Sequence, residues 1–293
     1  MDTGIQTAGD IRKYCFSVLR PMVGDEEAKS IIYILFEDFI GWSKARLHTD
    51  SARVLPGTDI LRFVAATALL ETGCPVQYVT GNATFNGLKL TVNPSVLIPR
   101  PETEELAMIV AGDLKLLELS GFSALDIGTG SGCIAIFLKN LFPGINVYGL
   151  DASDEALHVA RANALRHNAD VMFFRHDILG SMIPLHNIGF DLIISNPPYV
   201  TLREKTAMMP NVKDFEPFSA LFVPDEDPLL FYRAIAGFAR SRLKVGGLLY
   251  LEINEAFGEQ TSDLLENSGF SSHVIKDFRG RDRFIRAGLK DHS

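Results

Sequence analysis

The sequence predicts an α/β fold: a mostly parallel, seven-stranded sheet with helices on both faces, joined by a β-hairpin to a small N-terminal helical domain. Two observations carry this prediction. After Pro101, short apolar runs alternate with segments of helical periodicity, which is typical of a parallel sheet with crossover helices. Before residue 76, apolar residues recur at helical spacing. We therefore place the domains at residues 1–75, 76–96 and 97–293.

Helices are predicted throughout the first segment. Two stretches carry apolar side chains three and four residues apart, which indicates one buried face on each helix. These side chains are Ile31, Ile32, Leu35, Phe36 and Phe39 in the first stretch, and Ile60, Leu61, Val64, Ala65, Ala68 and Leu69 in the second. We expect a small helical bundle. A helical extension packed on the main domain is the alternative.

The second segment changes from helical to alternating periodicity. Residues 85–92 alternate apolar and polar side chains, and Asn86-Gly87 is a pair favoured in two-residue hairpin turns. A β-hairpin is therefore expected to link the two domains.

The third segment supplies the sheet and its helices. Strands are predicted at residues 124–127, 146–150, 171–175, 190–195, 248–253, 273–276 and 283–287, and helices at 107–119, 133–141, 154–166, 229–243 and 259–267. In sheets of this kind, ligands bind beyond the carboxyl ends of the strands. Residues that directly follow a strand are therefore the first candidates for a site.

Composition excludes several classes of protein. The chain has 293 residues, of which 47% are hydrophobic and 22% charged, as in globular proteins. No apolar run reaches the roughly 18 residues of a membrane span, and the first residues lack the basic and apolar regions of a secretory signal. Three separated cysteines fit a reducing compartment, and the histidines show no metal-ligand spacing. We expect a cytoplasmic protein that binds neither a membrane nor a metal.

Charge argues against a nucleic-acid partner. The net charge is −8, and residues 1–93 hold nine basic and ten acidic side chains. Neither part of the chain has the excess of lysine and arginine that neutralises a phosphate backbone. No direct nucleic-acid contact is therefore expected.

A glycine-rich loop separates the first predicted strand from its helix. It includes Asp126, Gly128, Thr129, Gly130, Ser131 and Gly132. Glycines let the backbone approach a ligand closely, and the helix that follows presents free N–H groups. A dinucleotide-binding loop would need glycine where this chain has Cys133. The spacing favours a methyltransferase loop, with a nucleotide oxidoreductase and a plain tight turn as alternatives.

Acidic residues follow the next two strands. The carboxylate of Asp151 can accept both hydroxyl hydrogens of a ribose. Its alternative role is to cap the helix that follows, but Ser153 or Asp154 can fill that role. Asp177 suits an adenine amino group, with Ile178 against the ring. A surface turn is the alternative for Asp177.

The fourth strand ends in Asn196, Pro197, Pro198 and Tyr199. Two adjacent prolines fix two φ angles and remove two donors, which gives a rigid turn. The amide oxygen of Asn196 and the carbonyl oxygen of Pro197 become fixed acceptors, and Tyr199 offers a flat face. This arrangement suits a planar NH₂ group, either a carboxamide or the exocyclic amine of a base.

With both motifs placed, the sequence resembles the HemK/PrmC family of protein-glutamine N5-methyltransferases over nearly its whole length. The segments that discriminate are Leu97–Glu104, Pro75–Gly81 followed by Phe85, and Phe215–Pro217 with Ala220-Leu221. The resemblance implies a Rossmann-like class I methyltransferase whose N-terminal domain recognises the substrate. It implies S-adenosylmethionine as cofactor. Its partners would be class I peptide chain release factors, methylated on the glutamine of a Gly-Gly-Gln motif.

The resemblance also assigns residues. Gly128 to Gly132, Asp151, Ile178 and Asn196 would contact the cofactor, and Asn196 to Tyr199 would hold the glutamine. The pocket for that glutamine would be lined by Arg100, Pro101, Glu102 and Thr103, although a salt-bridged loop is the alternative for this segment. Many relatives have Trp or Phe where this chain has Ile178. A monomer is expected.

Three other functions stay open on the sequence. A nucleic-acid amino methyltransferase shares the Asn-Pro-Pro-Tyr turn but needs a basic surface. A non-catalytic binding module could retain the fold, although both motifs are intact. An NAD-dependent dehydrogenase is disfavoured because residue 133 is not glycine.

Overall fold

The computed structural model describes residues 4–180 and 188–290. Residues 1–3, 181–187 and 291–293, which belong to the first and third predicted segments, lie outside the described residues. The chain forms two compact units. The first includes the chain up to Asn82 together with Met209–Phe215, and the second includes Ala83–Met208 and the chain from Glu216 onwards.

The first unit is built from helices α1 Ala8–Val23, α2 Asp25–Ile40, α3 Lys44–Thr49, α4 Gly57–Glu71 and α5 Val76–Thr80. Thr7 starts α1 with a capping box: its hydroxyl accepts the N–H of Asp10 at 3.1 Å, and the Asp10 carboxylate accepts the N–H of Thr7 at 3.1 Å. Phe36 of α2 and Phe63 of α4 are fully buried, with ring centroids 4.6 Å apart.

The predicted buried face of α4 is confirmed only at Ile60 and Val64, which are half-buried and pack against the core of the first unit. Leu61 and Leu69 are 71% and 52% exposed, whereas the helix buries Phe63, Thr67 and Leu70. Both faces of this helix are apolar, so spacing alone could not identify the buried one. The face with the phenylalanine buries the largest side chain, and full burial of such a side chain contributes about 1.5–3 kcal/mol.

The hairpin is shorter than predicted. Its strands are β1 Asn82–Phe85 and β2 Leu88–Thr91, and the preceding residues form α5 instead. Asn86 and Gly87 have φ angles of +44° and +81°, as a type I′ turn requires. The predicted turn residues are therefore the observed ones.

The remaining strands belong to the second unit, and seven of them form one sheet. In chain order they are β3 Ser123–Ile127, β4 Asn146–Asp151, β5 Val171–Arg175, β6 Phe190–Ser195, β7 Val200–Thr201, β8 Phe222–Val223, β9 Leu243–Glu252, β10 Phe270–Lys276 and β11 Asp282–Leu289. The sheet order is β10-β11-β9-β6-β3-β4-β5, with β7 and β8 paired separately. Strand β11 runs antiparallel to both of its neighbours, β10 and β9, and the other neighbouring pairs of the sheet are parallel. The predicted fold class is confirmed.

Helices cover both faces of this sheet. They are α6 Pro101–Leu114, α7 Cys133–Leu141, α8 Asp154–Arg166, α11 Leu230–Arg242 and α12 Gly258–Asn267. Two short helices occur between α8 and α11 in the chain: α9 Pro210–Lys213 in the first unit and α10 Phe218–Leu221 in the second. Helices α6 to α8 share one core cluster with the sheet, and α11 and α12 share the other. Within the described residues, no helix is long and apolar enough to cross a membrane.

The start of α6 differs from the prediction by six residues. The helix was expected over residues 107–119, but it runs from Pro101 to Leu114. Proline is favoured at the first helical position, and Glu102 and Glu104 lie in the first turn, where the helix dipole favours acidic side chains. The segment from Arg100 to Thr103, for which a salt-bridged loop is the alternative on the sequence, is therefore the N-cap and first turn of a helix.

Candidate active site

The glycine-rich loop leads from β3 into α7 with an open backbone. Gly128, Gly130 and Gly132 have φ angles of +71°, +54° and +80°. A Cβ atom at Gly128 would meet no atom within 4 Å, so this glycine borders open space. At Gly132 a Cβ atom would lie 3.0 Å from Ile136 and 3.3 Å from Ala160, so here glycine permits close packing of α7 and α8.

Three of the predicted cofactor residues, at the start of this loop and within it, are buried. Asp126, Thr129 and Ser131 are 2–3% exposed, and the Thr129 hydroxyl donates to the Asp126 carboxylate at 2.7 Å. Burial raises the pKa of Asp126 to about 7. The other carboxylate oxygen of Asp126 and the Ser131 hydroxyl have no hydrogen-bond partner among the described residues. These side chains support the loop from below.

Asp151 ends β4 and faces the space above the loop. Its carboxylate accepts the N–H of Gly130 at 2.9 Å and the N–H of Ser153 at 3.0 Å. The helix cap is Ser153, whose hydroxyl accepts the N–H of Ala156 at 3.1 Å. Asp151 is therefore free of a capping role, and its carboxylate has a fixed orientation. Burial raises its pKa.

A cavity of about 370 Å³ lies at the carboxyl ends of β3, β4 and β6. This volume is within the range of small-molecule sites. Of the predicted cofactor residues, those that line it are Gly128, Gly130, Asp151, Asp177, Ile178 and Asn196. Asp177 is exposed, and its carboxylate accepts the N–H of Leu179 at 2.9 Å. The predicted loop, ribose and adenine positions therefore share one cavity.

Buried side chains hold the turn after β6 in place through a series of hydrogen bonds. Asn196 donates its amide N–H to the hydroxyl of Thr103 at 2.9 Å, and Thr103 donates to the carboxylate of Glu252 at 2.7 Å. The hydroxyl of Tyr199 donates to the other oxygen of the same carboxylate at 3.0 Å. Glu252 is fully buried at the end of β9, and burial raises its pKa to about 7.

A second, smaller cavity adjoins the first. It has a volume of about 40 Å³, and Asn196 and Pro197 line both cavities. Its wall also includes Arg100 and Tyr199. The guanidinium group of Arg100 donates to the Glu216 carboxylate at 2.6 Å, and the same carboxylate accepts the N–H of Ile98 at 3.2 Å. The Glu216 side chain is 1% exposed, so this ion pair fixes the chain from Ile98 to Arg100.

The other residues predicted for the glutamine pocket lie elsewhere. Pro101, Glu102 and Thr103 line neither cavity. Thr103 is 3% exposed, and its link to the cavities is its hydrogen bond with Asn196, which lines both of them. Glu252 was not predicted, although a signal exists in the sequence. It is a carboxylate at the carboxyl end of an apolar strand, where a charged group needs a specific partner.

Two protein-family models match the chain. One, described as the PrmC N-terminal domain, matches residues 11–81, and the other, described as the methyltransferase small domain, matches residues 114–212.

Curated relatives match nearly the whole chain. The release factor glutamine methyltransferase of Flavobacterium psychrophilum is 40% identical over 274 residues, which cover 93% of this chain and 95% of that protein. The protein with the same name from Bacteroides thetaiotaomicron is 40% identical over 285 residues, or 94% and 98% of the two chains. The one from Staphylococcus aureus is 34% identical over 255 residues, or 86% and 89%.

Solved structures share the fold at low sequence identity. A methyltransferase from Pyrococcus furiosus has a TM-score of 0.51 and 20% identity, with 80% of this chain and 99% of that chain covered. A T. thermophilus 16S rRNA methyltransferase in complex with AdoMet and guanosine has a TM-score of 0.51 and 18% identity, with 71% and 50% covered.

Proposed function

The chain belongs to the release factor glutamine methyltransferase family, and on that premise we propose that it transfers a methyl group from S-adenosylmethionine to a glutamine of class I peptide chain release factors. The acceptor is the side-chain amide nitrogen of the glutamine in the Gly-Gly-Gln motif. One observation carries the assignment of the site: Asn196 and Pro197 line both cavities. A group held by these two residues in the small cavity would lie next to a cofactor bound in the large one.

The residues of the large cavity fit S-adenosylmethionine, which supplies an electrophilic methyl group when bound. The bare backbone at Gly128 allows close approach of the cofactor. The Asp151 carboxylate, fixed by two backbone N–H groups, would accept the ribose hydroxyl hydrogens. Asp177 and Ile178 would hold the adenine, with Ile178 supplying an aliphatic surface for the ring.

The turn from Asn196 to Tyr199 activates the acceptor. An amide nitrogen is a poor nucleophile because its lone pair is delocalised into the carbonyl group. The amide oxygen of Asn196 and the carbonyl oxygen of Pro197 accept its two N–H groups and orient the lone pair towards the methyl group. As nitrogen gains positive charge these hydrogen bonds strengthen, so they stabilise the transition state more than the bound substrate. The transfer would break the bond between sulfur and the methyl group and leave S-adenosylhomocysteine, and the excess proton on nitrogen then passes to solvent water.

Partner and compartment follow from the same family assignment. The first unit, which matches the PrmC N-terminal domain, is assigned to recognition of the release factor. The net charge of −8 favours a protein over a nucleic acid as the direct partner. All three cysteines are free thiols, which suits the reducing cytoplasm. The enzyme acts as a monomer in this proposal.

The test uses labelled cofactor and a purified class I release factor. Mass spectrometry is expected to locate the label on the glutamine of the Gly-Gly-Gln motif. A release factor whose motif glutamine is replaced by alanine is the matched control and is expected to stay unlabelled. Label on any other residue, or none with the natural factor, contradicts the proposal.

A further inference from the structure

The hydrogen bonds beneath Asn196 have a fixed direction. Glu252 contacts two hydroxyl groups, from Thr103 at 2.7 Å and from Tyr199 at 3.0 Å. Above its raised pKa of about 7 the Glu252 carboxylate is ionised and can only accept hydrogen bonds, so both hydroxyl protons then point towards Glu252. The oxygen of Thr103 then has lone pairs but no proton to offer to Asn196.

This direction decides which way the Asn196 amide faces. With its proton committed to Glu252, Thr103 can only accept from Asn196. The Asn196 NH₂ group therefore turns to Thr103, at 2.9 Å, and its carbonyl oxygen faces the opposite side. A reversed amide would place two acceptors against each other in a buried location, which is costly.

We infer that Glu252 and Thr103 are positioning residues which hold the Asn196 carbonyl oxygen towards the substrate and so select a primary amide over a carboxylate. The inference rests on the proposed function of the site. Thr103 and Glu252 are 3% and 0% exposed and line neither cavity, so they act through Asn196. An acceptor presented by Asn196 binds the NH₂ group of glutamine and repels the oxygens of glutamate.

The first test compares two substitutions at Thr103. Thr103→Val keeps the branched shape but has no hydroxyl, whereas Thr103→Ser keeps the hydroxyl. In Thr103→Val, kcat on release factor is expected to fall roughly 10–100-fold, as when an outer-shell partner is lost, with the Kd for S-adenosylhomocysteine unchanged within about twofold. Thr103→Ser is expected to stay within roughly threefold of the parent enzyme.

Two results of this comparison overturn the inference. One is a parental rate in Thr103→Val, which would make the hydroxyl dispensable. The other is an equal loss in both variants, which would make the shape of the side chain important and the hydrogen bond irrelevant. In either case the parent enzyme still methylates the glutamine, so the proposed function stands. Failure of the parent enzyme itself to methylate would instead contradict the proposed function.

The second test measures selectivity. Glu252→Gln adds a donor next to Thr103, so the hydrogen bonds that join residue 252, Thr103 and Asn196 can run in either direction. Asn196 can then turn its NH₂ group to the substrate. A release factor with glutamate in place of the motif glutamine serves as inhibitor. The ratio of its Ki to the KM of the natural factor is expected to fall roughly tenfold, which corresponds to one polar contact reversed. A merely structural defect weakens both factors equally, and an unchanged ratio overturns the inference. If circular dichroism shows that Glu252→Gln is unfolded, the comparison at Thr103 decides.

Discussion

Single side chains in the cofactor cavity owe their orientation to the backbone around them. Asp151 is the clearest case, because the N–H groups of Gly130 and Ser153 hold its two carboxylate oxygens. The remaining lone pairs of the carboxylate are left for a ligand. Desolvation raises its pKa, which is the cost of placing a carboxylate at the edge of the cavity.

Replacement of Asp151 tests this assignment. Asp151→Ala is expected to weaken S-adenosylmethionine binding by about 1–3 kcal/mol, because ribose hydroxyls and backbone N–H groups lose their acceptor. Titration calorimetry measures the loss, and circular dichroism verifies the fold. Asp154→Ala is the control, since Asp154 lies outside the cavity and forms a surface ion pair with Arg175. Unchanged affinity in Asp151→Ala would make Asp151 a structural residue.

Asn196 is expected to act mainly on the chemical step. Asn196→Ala removes an acceptor whose hydrogen bond strengthens as nitrogen gains charge, so kcat is expected to fall roughly 10²–10³-fold, as for loss of one preorganised polar partner. Single-turnover methylation of release factor separates this effect from binding. A variant that folds, binds cofactor and methylates at the parental rate would show that other groups hold the glutamine.

At the scale of helices and strands, α4 shows how burial differs from periodicity. The sequence offers two apolar stripes on this helix, and the fold buries the one that contains Phe63. The exposed stripe includes Leu61, which is 71% exposed. The two residues therefore allow a comparison within one helix.

Phe63→Ala is expected to destabilise the first unit by about 3–5 kcal/mol because it leaves a cavity in a packed core. Leu61→Ala is expected to change the free energy of unfolding by less than about 0.5 kcal/mol. Trp42 is the single tryptophan and is 5% exposed, and the centroid of its ring lies 6.2 Å from that of Phe36. Its fluorescence during urea unfolding therefore reports on this unit. Equal effects of the two substitutions would contradict the observed face.

The sheet was predictable because its strands are short apolar runs between turn residues. Strands β5 and β6 and helices α7 and α8 have the predicted bounds. The start of α6 was missed because its proline resembles a loop residue in the sequence, whereas its geometry suits the first helical position.

The candidate site was predictable only in part, for a related reason. The loop at Gly128 and the residue Asn196 each follow a strand, and Asp151 ends one, so all three could be found from the local sequence. The hydrogen bond between Thr103 and Glu252 joins residues 149 positions apart, and no local pattern predicts such a contact. This pairing depends on how helix α6, which carries Thr103, packs against strand β9, which ends at Glu252.

At the scale of the whole molecule, buried carboxyl groups make stability depend on pH. The pKa values of Asp126 and Glu252 are raised from 3.8 and 4.5 to about 7, with burial as the largest cause. Between their ordinary values and about 7 the native protein binds more protons than the unfolded chain. The free energy of unfolding contributed by these groups therefore falls as pH rises through this window.

Urea titrations of the cofactor-free protein between about pH 5 and pH 7 test this dependence. The midpoint is expected to fall as pH rises, and Asp126→Asn is expected to make the decline shallower because its side chain does not ionise. Asp10→Asn is the control, since hydrogen bonds with Thr7 lower the pKa of Asp10 and place its titration below this window. Equal slopes in the parent and Asp126→Asn would contradict the assignment.

The path of the chain between the two units has a consequence for how such genes can recombine. Residues 209–215 belong to the first unit although the chain on either side of them belongs to the second, and the Phe215 ring lies 3.7 Å from the Cβ position of Gly73. When two homologous genes recombine at the hairpin, residues 1–82 come from one gene and residues 209–215 from the other. If the two genes differ widely, the residues at this contact no longer match. A second crossover that replaces the segment 209–215 restores the match. Inheritance of the first unit therefore requires two separate stretches of the gene.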